Sequence, residues 1–87
     1  MAHAKPSDLA DIAALLAEIR EIPLLKEKSP GCFYYKSKGV LHFHAKDARR
    51  YAHVFDGKDW QEIDIKLSPS VALQKKIQKA IRRLLPF

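Results

Sequence analysis

His42 and His44 stand two residues apart in the stretch "VLHFHAK", and Cys32, His53 and Glu62 lie on neighbouring segments. Imidazole nitrogen, thiolate sulfur and carboxylate oxygen are the donors that zinc takes, at roughly 2.0–2.3 Å. His44, His53, Cys32 and Glu62 are the expected ligand set if a metal binds here, and zinc is the ion it suits. The same groups suit a second chemistry. Cys32 and a histidine could form a nucleophile–base pair, and His53 with Glu62 an oriented base. Side chains alternate faces along a strand, so His42 and His44 point one way while Leu41 and Phe43 point the other. Strand register then decides whether the rest meet, because a slip of one residue scatters them.

Four strands are predicted to hold these residues: 32–37, 40–46, 51–56 and 60–67. All connections are short, so an antiparallel meander is the simplest topology. A loop at 37–39, with Gly39 left-handed, puts Phe33 opposite Phe43. A loop at 47–50 puts Val54 opposite Phe43 and Ala52 opposite Ala45. A tight turn at 57–58, glycine first, puts Ala52 opposite Ile63. One face then reads Phe33, Tyr35, Leu41, Phe43, Ala45, Ala52, Val54, Ile63 and Ile65.

Two amphipathic helices need that apolar face. The first is predicted over 7–21, with Ser7 as N-cap and Asp8 and Asp11 at the positive helix start. Leu9, Ile12, Ala13, Leu16 and Ile19 recur at helical spacing, and Pro23 ends the run. "KEKSPG" reads as a turn-rich connector. The second helix opens at "SPS", with Ser68 as cap and Pro69 at the first helical position. Its buried stripe is Leu73, Ile77, Ala80, Ile81 and Leu84, and Pro86 stops it. The expected fold is α+β: a two-layer sandwich of order α-β-β-β-β-α, a single domain over 1–87, with both helices on one face of a four-stranded antiparallel meander.

The other face carries the chemistry. Across the strands its rows read Cys32, His44, His53, Glu62, then Tyr34, His42, Phe55, Trp60, then Lys46, Tyr51, Asp64. A sheet face turned to water carries mostly small polar and charged residues. An aromatic, imidazole-rich face points to contact with something. The first expectation is a second copy of the chain, because two-fold dimers are the commonest oligomers and aromatics suit an interface centre. Tyr34, His42, His44, His53, Phe55 and Trp60 would form that interface. The alternative is a metal- or small-ligand-binding domain centred on His42, His44 and His53.

Charge adds a third expectation. The chain carries a net +6, with 1–31 near −1 and 32–87 near +7. The segment 70–87 holds Lys75, Lys76, Lys79, Arg82 and Arg83 and no acid. Such asymmetry suits an anionic partner, nucleic acid first. Lys75, Lys79, Arg82 and Arg83, with Arg49 and Arg50, are the expected phosphate contacts. By a second route, Tyr34, Phe55 and Trp60 would stack bases while Lys36, Lys46, Arg49 and Arg50 meet phosphates.

Composition sets the remaining bounds. At 87 residues the chain has little depth for a catalytic pocket, and no Gly-rich phosphate loop or oxyanion motif marks one. It therefore reads as a small non-catalytic binding or assembly domain. "FDGKDW" lacks the length and ligand count of a calcium loop and reads as a hairpin turn. One cysteine excludes an internal disulfide, and no apolar run approaches the ~18 residues of a membrane span. A cytoplasmic protein is expected, with no membrane partner.

Overall fold

The computed structural model of the chain describes residues 4–47 and 49–86. A 3₁₀ segment, Pro6–Ile12, runs into α1, Ala13–Arg20. Five strands follow: β1 Lys26–Ser29, β2 Cys32–Tyr35, β3 Lys38–Lys46, β4 Arg49–Phe55 and β5 Trp60–Asp64. The closing helix is α2, Val71–Leu84. The strands pair in chain order as one antiparallel sheet. The fold is α+β, as the hydrophobic periodicity predicts, with five strands in place of four.

The additional strand is β1, in the stretch read as a connector. It pairs Lys26 with Tyr34 and Glu27 with Phe33. Lys, Glu and Ser have weak strand preference, and an edge strand tolerates them because one side needs no apolar packing.

Both helices cover one side of the sheet. Leu9, Ile12, Leu15, Leu16 and Ile19 from the N-terminal helical run join Ile77 and Ile81 of α2 over Phe33, Leu41, Phe43, Ala52 and Val54. Most of these side chains are almost fully buried. Each large one contributes about 1.5–3 kcal/mol to folding. Ile65, beyond the end of β5, joins the cluster and donates its N–H to the Arg50 carbonyl at 2.8 Å.

The helical boundaries differ from expectation for reasons of hydrogen bonding. Lys5 precedes the 3₁₀ segment, and its N–H donates to Asp8 Oδ2 at 2.9 Å, so the cap lies before Ser7. The run over 7–21 divides at Ile12, whose φ of −117° and ψ of 31° leave the helical region. At the division, backbone groups find side-chain partners. The Asp8 carbonyl accepts from Arg50 Nη1 at 2.7 Å, the Asp11 carbonyl from Gln74 Nε2 at 3.4 Å, and Leu15 N–H donates to Gln74 Oε1 at 3.0 Å. α2 begins two residues later than predicted. Ser70 is its N-cap, accepting from Leu73 N–H at 3.1 Å. Ser68 instead turns at φ +49° and donates its N–H to Asp11 Oδ2 at 2.6 Å.

The turns reset the register. Between β2 and β3 the connection is the pair Lys36–Ser37, with φ of 48° and 68°. Two successive positive φ values are those of a type I′ turn, which matches the twist of the flanking strands. Gly39 is not left-handed; it lies in β3 beside a bulge that makes Val40 the extra residue. Phe33 therefore opposes Leu41 rather than Phe43, although the two phenyl rings still meet edge to face at 6.4 Å. β4 begins at Arg49, so Leu41 opposes Val54 and Phe43 opposes Ala52, two residues from the expected pairing. The expected loop at 47–50 includes Ala48, which lies outside the described residues. The β4–β5 register is as predicted, with Ala52 opposite Ile63 across a turn in which Gly57 has φ +98°. A shift of two residues preserves the faces.

Candidate functional site

The side of the sheet turned away from the helices is lined with rings. Tyr34 comes from β2, His42 and His44 from β3, Tyr51, His53 and Phe55 from β4, and Trp60 from β5. Consecutive centroids lie 5.0–6.3 Å apart, from Tyr34 to His42, His42 to His44, His44 to Tyr51 and His53, and on to Trp60 and Phe55. The seven rings form one continuous layer. Among the described residues no element covers it. His44, at its centre, is only 1% exposed, while Trp60 at its edge is 44% exposed.

Gly39 makes room for part of this layer. A Cβ there would lie 2.8 Å from His42 Nε2 and 3.6 Å from Tyr34 Cε2. The absent side chain lets both rings lean over the β3 backbone.

Cations seat on the outermost rings. Lys28 Nζ lies 4.8 Å from the Tyr34 centroid, Lys38 Nζ 4.0 Å from Phe55, and the Arg49 guanidinium carbon 5.7 Å from Tyr51. Each is within cation–π distance. Arg49 also spans two carboxylates, Glu62 at 3.2 Å and Asp64 at 3.1 Å.

The expected row Cys32, His44, His53, Glu62 does not form. Cys32 opposes His42, two residues from His44, because the β2–β3 connection is shorter than predicted. His42, not His44, opposes His53, and His44 opposes Tyr51. His53 does oppose Glu62, with Nε2 3.5 Å from Oε2. His44 and His53 touch diagonally, with ring centroids 5.0 Å apart. Among the described residues no group of three or more His, Cys, Asp or Glu is arranged to hold a metal ion. Cys32 is buried at 3% exposure.

Comparison with family models, with curated proteins and with solved structures finds no match for this chain.

Arg50 is a correction to the expected phosphate contacts. Its side chain is 1% exposed and points among the helices, opposite the ring layer. Nη1 and Nη2 donate to Asp11 Oδ1 and Oδ2 at 2.5 and 3.0 Å, and Nη2 also donates to the Lys66 carbonyl at 2.9 Å. The Arg50 guanidinium holds the Asp11 carboxyl below its usual range, with help from Ser68 N–H, against the opposing effect of burial. Gln74 is the buried partner that periodicity misses. It lies on the stripe of α2, yet it bonds Leu15 N–H and the Pro69 carbonyl rather than filling apolar space. Sequence offers one signal for it, a glutamine among isoleucines at helical spacing. Together Arg50, Asp11, Ser68 and Gln74 tie both helices to the end of the sheet.

α2 presents the second surface. Lys75, Lys76, Lys79, Arg82 and Arg83 are all exposed along its outer side, with no acid within the helix. Arg82 Nη2 donates to the Glu18 carbonyl at 3.2 Å, leaning over the end of α1. No helix of the described residues is long and apolar enough to cross a membrane.

Proposed function

We propose that the protein is a small basic assembly domain that dimerises through the ring-lined face of its sheet. The observation that carries this is the continuous layer of seven rings with Trp60 exposed at its edge. A contiguous aromatic patch of this kind marks a contact surface. Its residue types, Trp, Tyr, Phe and His with no lysine at the centre, are those of an interface core. Stacking of bases on the same rings has less support. Lys28, Lys38 and Arg49 already occupy the rings of Tyr34, Phe55 and Tyr51. The remaining rings lean on one another at 42–70° and present no parallel platforms.

Light scattering on the whole chain, from about 10 μM to about 1 mM, tests the dimer over a range that includes weak association. The expected result is dimer mass at the upper end, lost in Trp60→Ser with circular dichroism unchanged. Monomer mass throughout overturns it.

A second reading is favoured by α2, whose exposed cations run without an intervening acid. In a face-to-face dimer the helices lie on the outside, so this row stays open to an anionic partner, with nucleic acid the expected class. The single cysteine and its burial fit a reducing compartment, here taken as the cytoplasm.

A further inference from the structure

The ring face carries opposite charges on its two lateral edges. On β1, Lys26 opposes Tyr34 and so shares its face, and Lys28 reaches over the Tyr34 ring. The acidic member of β1, Glu27, opposes Phe33 on the helix side and pairs with Arg20 of α1 at 2.7 Å. On β5, at the far edge, Glu62 and Asp64 share the face of Trp60. Arg49 bridges both, but one cation against two carboxylates leaves negative charge there.

Two sheets that pack face to face either keep their strands nearly aligned or cross them at near right angles, and only the aligned class lays whole strand edges on one another. A two-fold axis in the interface then runs either along the strands or across them. An axis across the strands lays β1 on the partner's β1 and β5 on the partner's β5, setting like charges together. An axis along the strands, over β3, lays β1 on the partner's β5. Height along the strands is preserved by that rotation. Lys28 lies between the levels of Glu27 and Ser29, which the ladder carries across to Gln61 and Glu62. We infer that two copies pack with the two-fold axis along β3, so that Lys28 at the basic edge of one copy meets Glu62 at the acidic edge of the other, with Lys26 and Asp64 flanking that pair at the levels of Trp60 and His44. His42 and His44, on the central strand, then lie beside the axis and meet their own counterparts. This rests on the dimer proposed above. It adds the orientation, because like charges across an interface are costly and opposite ones set register.

Charge reversal tests the orientation. Lys26→Glu with Lys28→Glu makes both edges acidic, and Glu62→Lys with Asp64→Lys makes both basic. Each double variant alone is expected to dimerise at least tenfold more weakly by sedimentation equilibrium. An equimolar mixture is expected to restore dimer mass, as is the fourfold exchange carried on a single chain. Circular dichroism and thermal melts confirm that each variant folds, and the fourfold chain guards against a defect in either pair. If both double variants dimerise as tightly as the parent, the orientation is overturned while the dimer stands. If the mixture and the fourfold chain both stay monomeric while folded, the pairing of these edges is likewise overturned. If the parent is itself monomeric, the dimer and its orientation fall together.

Discussion

The indole of Trp60 on β5 lies 5.4 Å from the imidazole of His42 on β3, although β4 runs between the two strands. The indole reaches across the sheet and contacts Phe55 at 5.4 Å and His53 at 6.3 Å on the way. The edge residue is thereby tied to the central strand.

That contact depends on Gly39. In Gly39→Ala the added methyl would sit 2.8 Å from His42 Nε2, so the imidazole must move, and Trp60 with it. The moving atom is the end of a side chain and Gly39 lies in ordinary backbone, so the fold is expected to survive. Trp60 fluorescence and near-UV circular dichroism should change while far-UV circular dichroism does not. Self-association should weaken in parallel.

Arg50 and Asp11 should act as a unit in stability and not in binding. Asp11→Ala leaves a buried guanidinium without its counter-charge and is expected to cost about 3–5 kcal/mol in urea unfolding. The pH dependence has a definite sign. The Asp11 carboxyl is held below its usual range by Arg50, so the pair's contribution is full at neutral pH. It is lost as pH falls below about 4, through the depressed folded value. Arg50→Ala should therefore reduce the slope of stability against pH on the acid side and leave it unchanged near neutrality.

The Lys36–Ser37 turn asks two ordinary residues to take positive φ. Such backbone costs a side-chain-bearing residue roughly 1–2 kcal/mol. Replacing the pair by Asn-Gly should raise stability by about 1 kcal/mol, seen as a higher urea midpoint at unchanged m-value. No change would mean that the two residues bear no strain there.

For α2, affinity for duplex DNA or RNA is expected to fall steeply with salt. Four contacts would give a slope near −3 to −4 in log K against log salt. Lys75→Ala with Lys79→Ala should reduce that slope by about two, while Arg50→Met should leave it unchanged. Binding absent at low salt for both DNA and RNA would remove nucleic acid as the partner.

Periodicity alone determined much of this protein. Alternation in "VLHFHAK" assigned Leu41 and Phe43 to one face and the histidines to the other, and the fold keeps that division because a register shift of two residues leaves faces intact. The stripe of α2, four of the five residues of the first helix's stripe and the β4–β5 turn at Gly57 were legible for the same reason: each is local, set by spacing or by one special backbone position. Ala13 is the exception: it is exposed and Leu15 is buried in its place, because the helical run divides at Ile12 and its phase changes there. What tertiary structure decided is long-range. A tight turn at Lys36–Ser37 and a bulge at Val40 set which residue meets which, so Cys32 met His42 and the four-residue ligand row dissolved. β1 exists because the edge of β2 was open, not because Lys-Glu-Lys-Ser favours a strand. Arg50 reads as a surface cation in sequence, and the approach of Asp11, thirty-nine residues earlier, with the Asp8 and Lys66 carbonyls, makes its burial tolerable. Charge in a sequence shows that a group ionises, while the partner that decides whether it faces water or the core comes from distant chain.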